Sequence, residues 1–361
     1  MAALTTPGPD HVVVRAPRPG EGAAVARLWR ELWNAHEGWG SYEATRDDRV
    51  YDSVADRLEY DARARSGSPV LGRHVHLVAA RGNDVVGQVE GWIERQGVDR
   101  STPHTCEVRS LVVRTDARIH GVGRALLAEL ADVARIAMAS EPIVLAAEVL
   151  DPNPARAFYE RVGYRPVSWI TRFGGDARPK IDANHVTPFR ARAGRADDAL
   201  AVAFLDGILA ARRRSLGDAR FDRPRTIDAS LVSAIAAHLH RLELPGASDA
   251  REIVVVDGGG DVRAVATLVT GDLLPPFAPA RRALLGRLAI DPAMPVRDVL
   301  VPLVAFAWHH ARMRGALAME VTDLPTPGSP LYDATVALGA VPWSRIVIRD
   351  QTGPRAVTFE R

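Results

Sequence analysis

The sequence contains one pattern of strands, turns and helices written twice. A strand, a Gly-Asn-Asp turn and a second strand run through Asp84, and the pattern returns around Asp261, 177 residues later. The same offset aligns the apolar run 111–113 with 288–290, and a long helical pattern follows each of them. One long internal period is typical of duplicated domains, because solenoid repeats recur every 20–50 residues or so. The chain therefore must fold into two similar domains.

The length and the order of the patterns define the predicted fold. A chain of 361 residues is long enough for two domains of ordinary size. Each half reads as a strand, two helices, a hairpin, a strand, a helix after a turn, a strand, a helix and a last strand. We predict an α/β protein with two tandem domains, 1–175 and 186–361, each a mixed, mostly antiparallel sheet flanked by helices. The polar, Gly- and Pro-bearing segment 173–184 is the predicted linker.

Composition argues against several classes of function. The formal net charge is +2, with 47% hydrophobic residues, so no strong field favours nucleic acid or an anionic membrane as partner. No run of 18 apolar residues occurs, and the first residues lack the features of a signal peptide. Cys106 is the single cysteine, which excludes an intrachain disulfide and fits a reducing compartment. We expect a cytoplasmic monomer or homodimer.

A glycine-bearing turn between a strand and a helix is the strongest local signal. Gly121 and Gly123 stand between the apolar strand 107–113 and an Ala/Leu-rich helix. The first turn of a helix presents unpaired N–H groups and a partial positive charge, and glycines leave those groups accessible. Leu126 replaces the third glycine of the dinucleotide fingerprint, and no Gly-Lys-Ser/Thr follows. The turn predicts a socket for a phosphate or pyrophosphate.

Two motifs carry a family resemblance. Arg118-x-x-Gly121-x-Gly123 resembles the Arg/Gln-x-x-Gly-x-Gly/Ala signature of the GCN5-related N-acetyltransferases, the GNAT family. The segment 151–164 resembles the later motif of that family, which ends in Phe-Tyr-x-x-x-Gly-Phe/Tyr. The resemblance covers nearly the whole chain as a tandem GNAT protein and is more specific in the first half. It implies acetyl-CoA, or another acyl-CoA, as co-substrate, with its pyrophosphate in the socket.

The resemblance also implies the residues that hold the cofactor. Main-chain N–H groups of the loop would bind the pyrophosphate, Arg118 and Arg124 would add charge, and the main chain of Val112 and Val113 would pair with the pantetheine amides. Asn153 would contact the cofactor, or it caps the following helix instead. The expected cofactor site comprises Leu111, Val112, Val113, Arg118, Ile119, His120, Gly121, Val122, Gly123, Arg124 and Asn153.

Two residues are candidates for proton transfer. Glu107 lies on the strand before the socket, at the spacing of the catalytic glutamate in the histone-acetylating branch of the family, and would be the general base. The alternatives are that Glu107 only pairs with Arg109 or another arginine, and that Ser110 or the main chain takes this role. Tyr159 would be the acid that protonates the leaving thiolate, with Phe158 and Val162 on the core face of its helix and Tyr159 directed away from the core. The alternative is an aromatic packing residue.

The acyl acceptor is expected at the first helix and the loop after it. Carboxylates attract an amine, and aromatic faces hold a cation. The candidates are Trp33, Glu37, Trp39 and Tyr42, although some of the aromatic residues could instead belong to the core stripe of an amphipathic helix. We expect no metal site, because the paired histidines lack carboxylate or cysteine partners at ligand spacing.

The second half has lost the residues of the socket. Asp298 stands at the position of Gly121 and Leu300 at that of Gly123. The substitutions continue at the other key positions, with Pro295 for Arg118, Leu284 for Glu107 and Thr335 for Tyr159. A carboxylate at the socket repels a pyrophosphate. We therefore expect the second half to be a structural or substrate-shaping copy without acetyl-CoA.

Three functions remain open from the sequence. The first is direct acetyl transfer from acetyl-CoA to a primary amine of a small molecule, such as an antibiotic, an amino sugar or a polyamine, in a ternary complex. The second is acetylation of a protein N-terminus or lysine. The third is a non-catalytic module that senses acetyl-CoA. A variant of the first is a tandem enzyme that uses a longer acyl chain or binds a second cofactor in the second half. The sequence does not identify the acceptor.

Overall fold

The computed structural model describes residues 12–95, 104–118, 120–138, 143–174, 177–182, 185–221, 226–243 and 249–350. These residues form two compact units. Unit 1 comprises residues 12–148, 152–165 and 348–350 of the described chain, and unit 2 comprises 149–151 and 166–347.

Unit 1 is a mixed sheet with helices. Its helices are α1 (Gly22–Gly38), α2 (Asp48–Arg65), α3 (Val122–Ala137) and α4 (Ala155–Arg161). Its strands are β1 (Val12–Arg15), β2 (Val70–Leu71), β3 (His74–Arg81), β4 (Asp84–Arg95), β5 (His104–Val108), β6 (Val112–Val113) and β7 (Ile143–Leu150), the last as far as residue 148. The strand order is β1-β3-β4-β5-β7, with β2 paired to β3 and β6 paired to β4. The β5–β7 pair is parallel and the other pairs are antiparallel.

Helices cover both faces of the unit 1 sheet because its strands are apolar on both sides. Val25 and Leu28 of α1 and Leu58 of α2 pack with Val78 and Val112 on one face. The opposite face meets α3 so closely that a Cβ at Gly91 would lie 2.7 Å from Leu130 Cδ1. Strand alternation then places the side chains of even-numbered β3 residues 74, 76 and 78 on the face of α1 and α2.

Unit 2 repeats this order of elements. Its helices are α5 (Ala199–Ser215), α6 (Ala229–Glu243), α7 (Val296–Met313) and α8 (Pro330–Ala337). Its strands are β8 (Arg165–Gly174) from residue 166 on, β9 (Arg190–Ala193), β10 (Ala250–Val256), β11 (Val262–Asp272), β12 (Arg281–Ile290), β13 (Ala316–Leu324) and β14 (Val341–Asp350) as far as residue 347. The order β8-β13-β12-β11-β10-β9 has one parallel pair, β12–β13. One face packs against α7, and the other against α5 and α6.

The fold class predicted from the sequence is confirmed. Both halves have a mixed, mostly antiparallel sheet, and the turns at Asp84 and Asp261 join equivalent hairpins, β3–β4 and β10–β11. The assignment of the duplicated halves to 1–175 and 186–361 stays a prediction, and the compact units divide the chain differently, because residues 166–174 cluster with unit 2 and 348–350 with unit 1.

The predicted linker begins too early. Phe173 is a fully buried core residue of β8, and Gly174 ends that strand with its Cα–H face against Ala318. Residues 175, 176, 183 and 184 of this segment lie outside the described residues.

None of the helices in the described ranges combines the length and apolar character needed to cross a membrane.

Candidate active site

The glycine loop of unit 1 leads into a bare helix N-terminus. Helix α3 begins at Val122, and Gly121 precedes it with φ +78°, a left-handed conformation that favours glycine. Space alone does not demand glycine at 121, since a Cβ there would meet no atom within 4 Å. Gly121 has no side chain with which to cap the helix, and the first turn carries no acidic residue. The N–H groups of this turn are therefore available to an anion.

Gly123 has a different function from Gly121. A Cβ at Gly123 would lie 3.2 Å from Phe158 Cζ and 3.7 Å from Val113 Cγ2. The absence of a side chain thus lets α4 and β6 approach the start of α3. The two sequence motifs, the glycine loop and the segment 151–164, meet at this contact. Phe158 was predicted only as a core residue, and its contact with the loop was not.

The strand before the loop carries a β-bulge at Ser110 and Leu111. Val108 lies opposite Gly91 and Val112 opposite Gln88, so one strand has an extra residue in this interval. Pairing of β5 with β7 reaches Val108, and β6 pairs with β4. Beyond the bulge, β6 therefore pairs with β4 on one edge. Its other edge lies outside the described β5–β7 ladder.

The bulge decides which main-chain groups face that open edge. The N–H of Arg114 donates to Val86 O at 2.8 Å, so Val112, two residues earlier, also directs its N–H and C=O toward β4. Leu111 and Val113 direct theirs to the open edge. The expectation that the main chain of Val112 pairs with pantetheine is therefore wrong, because the inserted residue shifts the alternation; Leu111 and Val113 remain suitable.

Side chains of the loop are largely exposed. The Nε of Arg118 donates to Val113 O at 2.9 Å, and His120 Nδ1 lies 2.9 Å from Arg118 O. Arg124 is exposed on the first turn of α3, and Val122 is buried beneath it. Ile119 lies outside the described residues. Two arginines thus flank the bare helix end and can attract an anion to it.

Glu107, the predicted base, is held in an ion pair. Arg109 NH2 lies 2.8 Å from Glu107 Oε2, and both side chains are nearly half exposed. The guanidinium also lies over the ring of Trp92, 5.4 Å from its centroid, and 3.8 Å from Glu94. This ion pair with Arg109 is the alternative to a catalytic role that the sequence left open. Arg109 thus engages one of the two carboxylate oxygens of Glu107.

Tyr159 is buried, which differs from the predicted direction. Only 7% of Tyr159 is exposed, and its ring packs against Tyr164 at 5.1 Å and Phe158 at 5.6 Å between centroids. The expectation that Tyr159 points away from the core is wrong, because α4 turns Phe158 toward Gly123 and so turns Tyr159 inward. Burial raises the pKa of the Tyr159 hydroxyl, which therefore keeps its proton at neutral pH.

Asn153 serves the start of α4. Its Oδ1 accepts the N–H of Ala155 at 2.8 Å, the capping arrangement that the sequence offered as the alternative to cofactor contact. This side chain is almost fully buried, so a cofactor contact would have to come from its remaining amide N–H groups.

Comparison with known proteins identifies the domain that holds these features. Residues 26–164 match the profile of the acetyltransferase (GNAT) family. The matched segment includes the bulge, the glycine loop and the Phe158 contact. Residues 26–164 are a GNAT acetyltransferase domain. This domain therefore belongs to a family of acyl-transferring enzymes.

Solved structures resemble the whole chain. A GCN5-related N-acetyltransferase from Sphaerobacter thermophilus is 16% identical with a TM-score of 0.57, and the alignment covers 96% of this chain and 97% of that one. A glucosamine N-acetyltransferase region of a fungal multi-domain beta-N-acetylglucosaminidase is 15% identical with a TM-score of 0.53, covering 96% of this chain and 38% of the fungal one. A tandem GNAT protein from the clavulanic acid pathway is 18% identical with a TM-score of 0.48, covering 96% and 100%. The first two likenesses show the fold alone. No curated protein sequence matches the chain.

Two of the predicted acceptor residues of the GNAT domain lie against His36. The rings of Trp33 and Trp39 lie 5.1 and 5.4 Å from the ring of His36. Burial lowers the pKa of His36 to about 4, so it is neutral at pH 7. Glu37 accepts from Arg46 NH2 at 2.7 Å and from the N–H of Ala44 at 3.2 Å, so it holds the loop after α1. Tyr42 in that loop is buried, so Trp33 and Trp39 offer the more accessible rings.

A buried polar cluster of the GNAT domain was missed from the sequence. It lies on the α1/α2 face of β3 and β4 and reaches the bulge. Its members are Arg65, His74, His76, Gln88, Glu90 and Ser110, and each is at most 5% exposed. The signal was present in the sequence as polar residues at alternate positions, 74 and 76, then 88 and 90, inside otherwise apolar strands.

Unit 2 presents a different arrangement at the equivalent place. Asp298 is in the first turn of α7, and its carboxylate lies 3.3 Å from His185 Nε2. Where unit 1 has an open edge, Arg212 NH2 donates to Leu288 O at 2.7 Å and the N–H of Arg287 donates to Asp323 Oδ2 at 2.8 Å. Side chains of unit 2 thus bind the main-chain groups that correspond to the bulge of the GNAT domain.

Metal ligation is not suggested by the part of the chain that the structure describes. Within it, no group of three or more His, Cys, Asp or Glu side chains is arranged to hold an ion.

Proposed function

We propose that this protein transfers the acetyl group of acetyl-CoA directly to a primary amine of a small molecule. One observation carries the proposal: the bare N-terminus of α3 adjoins, through the Gly123–Val113 approach, a strand edge whose main-chain groups face away from the sheet. An anionic nucleotide linkage with an amide-bearing arm fits this pair of features. The GNAT family match over residues 26–164 supports the choice of acetyl-CoA.

The pose of the cofactor follows from the two features. The pyrophosphate would bind the N–H groups from His120 to Arg124, with Arg118 and Arg124 supplying positive charge. The pantetheine amides would pair with Leu111 and Val113, as an added strand pairs with an edge. Arg118 would then have to release Val113 O, to which it now donates. The thioester would come to lie beside the bulge.

Acetyl transfer requires two proton movements. The ammonium of the acceptor must lose a proton before nitrogen attacks the thioester carbon, and the departing thiolate must gain one. Glu107 is the base proposed from the sequence, and an incoming ammonium would replace Arg109 as its partner. Tyr159 is the proposed acid. The phenol is protonated at neutral pH already at its ordinary pKa. Burial raises that pKa and makes the proton harder to release, so donation depends on direct contact with the thiolate.

The side chains around α1 favour a cationic acceptor. Trp33 and Trp39 offer aromatic faces to a cation. Glu37 would attract the ammonium of the acceptor with a carboxylate that is also paired with Arg46. Antibiotic amines, amino sugars and polyamines all fit, and a protein N-terminus or lysine is the alternative acceptor. Unit 2 would act as a structural or substrate-shaping copy, and we place the enzyme in the cytoplasm.

The decisive experiment is a panel of amines with acetyl-CoA and detection of free thiol. Glucosamine is a practical first member, because a fungal region with the same fold is a glucosamine N-acetyltransferase. We expect at least one amine to release thiol, and Tyr159→Phe to lower kcat by about 10²-fold. Coenzyme A that binds without any turnover, and binds equally well to Tyr159→Phe and Glu107→Gln, would favour an acetyl-CoA sensor. Absence of binding would refute both.

A further inference from the structure

The bulge places one polar side chain where the proposed reaction needs a proton acceptor. Pantetheine paired with Leu111 and Val113 brings the thioester beside Ser110 and Leu111, and the attacking nitrogen must reach the thioester carbon. Leu111 is apolar, and Arg109 is engaged with Glu107 and the Trp92 ring. Ser110 remains as the hydroxyl of the bulge, and it is directed to the face covered by α1 and α2, where Glu90 lies.

Glu90 lies behind Ser110 and carries a negative charge. The Ser110 hydroxyl donates to the Glu90 carboxylate, and the Ser110 carbonyl accepts from Gln88 Nε2 at 3.0 Å. Burial alone would raise the pKa of Glu90, but its contacts with His74 and Ser110 outweigh burial and hold the pKa below the ordinary value. A carboxylate that is 4% exposed and still ionised requires a positive counterpart.

Arg65 is that counterpart, and His74 connects the two charges. Arg65 NH2 lies 2.8 Å from His74 Nδ1, and a guanidinium can only donate, so Nδ1 accepts and the imidazole proton is on Nε2. His74 Nε2 lies 3.2 Å from Glu90 Oε1, within ion-pair distance but outside hydrogen-bond geometry. The ring of His74 is fixed by stacking on Trp92, 4.7 Å away. His74 thus has no free lone pair and serves as a positioning residue.

All charged or titratable groups around Glu90 agree with this arrangement. From β3 the carboxylate faces His74 and His76, and from α2 it faces Arg65, which is itself close to Asp61. Burial lowers the pKa of His76 to about 4, so His76 is neutral at pH 7, and its Nε2 lies 3.0 Å from Gln88 Oε1. The only full positive charge near Glu90 in this set is Arg65, on the side away from the bulge.

We infer that Ser110 takes the proton of the acceptor ammonium and that Glu90 takes the proton of Ser110, while Arg65 and His74 position Glu90. This inference rests on the proposed acetyl transfer and changes the group that receives the proton. The ammonium N–H bond breaks as its proton binds Ser110 Oγ, and the Ser110 proton moves to Glu90. The nitrogen lone pair then attacks the thioester carbon, the C–S bond breaks, and the thiolate takes the proton of Tyr159. The second proton of the attacking nitrogen leaves as the amide forms and restores the Tyr159 phenol. Glu90 returns its proton to solvent.

The test compares two acceptors with different basicity. One is an aliphatic amine found in the panel, which is an ammonium at pH 7; the other is an alkoxyamine of similar shape, which is already neutral. For the aliphatic amine we expect Ser110→Ala and Glu90→Gln each to lower kcat by about 10²-fold. For the alkoxyamine we expect a loss of less than about threefold, because no proton has to be removed before attack.

A double variant tests whether the two residues act in series. If Glu90 acts through Ser110, the Ser110→Ala/Glu90→Gln enzyme should be no slower than the slower single variant, since coupled residues are not additive. Equal losses with both acceptors, or a double variant whose loss is the product of the single losses, would overturn the inference and indicate a structural role.

Controls separate folding from chemistry. Ser168→Ala removes a fully buried serine of β8 and should keep the wild-type rate with both acceptors. Thermal unfolding and coenzyme A titration of each variant check the fold. If Glu90→Gln does not fold, Ser110→Ala with the two acceptors decides alone. A wild-type enzyme that releases no thiol with any amine defeats the proposed function, whereas an active enzyme that tolerates Ser110→Ala defeats only this inference.

Discussion

The two copies of the fold differ most at the start of equivalent helices, α3 and α7. Helix α3 follows Gly121, whose left-handed backbone leaves the first turn bare, whereas α7 follows Pro295 and carries Asp298 in its first turn. Asp298 supplies a negative charge to the helix end, which an external anion would otherwise supply. The second copy thus carries a carboxylate of its own at the helix end that the first copy leaves bare.

The strand edges beside these helices differ in the same way. In unit 2, Arg287 and Asp323 both adopt left-handed backbone, with φ of 51° and 63°, and bind each other at the position of the Ser110 bulge. Arg213 NH2 holds the Asp323 carboxylate at 2.6 Å, and Arg212 takes Leu288 O. The second copy thus uses its own side chains to bind main-chain groups that we propose the first copy offers to pantetheine.

The largest expected effect comes from moving the unit 2 residue into unit 1. Gly121→Asp should weaken coenzyme A binding by about 100-fold relative to Gly121→Asn, because a carboxylate beside the pyrophosphate costs about 3 kcal/mol at an effective dielectric of about 20. Asn has the same shape and tolerates the left-handed backbone. Calorimetric titration measures both. Equal affinities of the two variants would mean that the anion does not bind at this helix end.

The next effect tests the carboxylate of unit 2. Asp323→Asn should lower the free energy of unfolding at pH 7 by about 2 kcal/mol, since it weakens charged hydrogen bonds to Arg213 and the Arg287 N–H. Burial alone would raise the pKa of Asp323, but Arg213 and that N–H outweigh burial and hold the pKa below 3.8. The stabilisation is therefore present above pH 3.8 and is lost as pH falls through the lower folded value.

Thermal unfolding between pH 7 and pH 2.5 checks this prediction. The difference between wild type and Asp323→Asn should shrink at the acidic end, because the wild-type carboxylate is then protonated too. Asp272→Asn, which alters an exposed carboxylate, is the matched control and should change stability by less than about 0.5 kcal/mol. A difference that is independent of pH would contradict the role of the charge.

A smaller effect is expected from closing the gap beside Gly123. Gly123→Ala places a methyl 3.2 Å from Phe158 Cζ, so α4 must shift slightly, and coenzyme A affinity should fall by about tenfold. Phe158→Leu in the same chain removes the contacting ring atoms and should restore part of the affinity. If Gly123→Ala binds coenzyme A as wild type does, the approach of α4 is not important for the loop.

The smallest expected change is none at all. Coenzyme A should bind once per chain, and Asp298→Gly/Leu300→Gly should keep that stoichiometry, because Arg212 and Asp323 still hold the strand edge of unit 2. Calorimetry counts the sites. A second site in this variant would mean that the helix end alone decides binding, and it would weaken the comparison of the edges.

The sequence predicted what depends on local pattern. The duplication, the fold class and the glycine turn all follow from periodicity and from residues that define turns. The direction of Tyr159 was predicted wrongly, because helical spacing allows either Phe158 or Tyr159 to face inward, and the choice depends on the absence of a side chain at Gly123, 35 residues away.

Features that depend on one inserted residue were also missed. The extra residue at Ser110 and Leu111 reverses the alternation of the strand, so Val112 turns its main chain to β4. A pattern of apolar residues does not reveal such a bulge. The link from Arg65 through His74 to Glu90 depends on α2 ending beside β3, and this tertiary contact has no trace in residue spacing.

The assignment of strand segments to the two units bears on how this protein can be dissected. Residues 166–174 pair with β13 inside unit 2, and Asp350 near the end of the chain binds Arg165 inside unit 1 at 2.8 Å. A fragment that ends at residue 175 would keep the apolar strand segment 166–174 but lose β13, with which this segment pairs. The fragment would also lack residues 348–350 of unit 1. The two halves of the sequence therefore do not coincide with the two compact units. Expression of either half alone should yield an aggregating product.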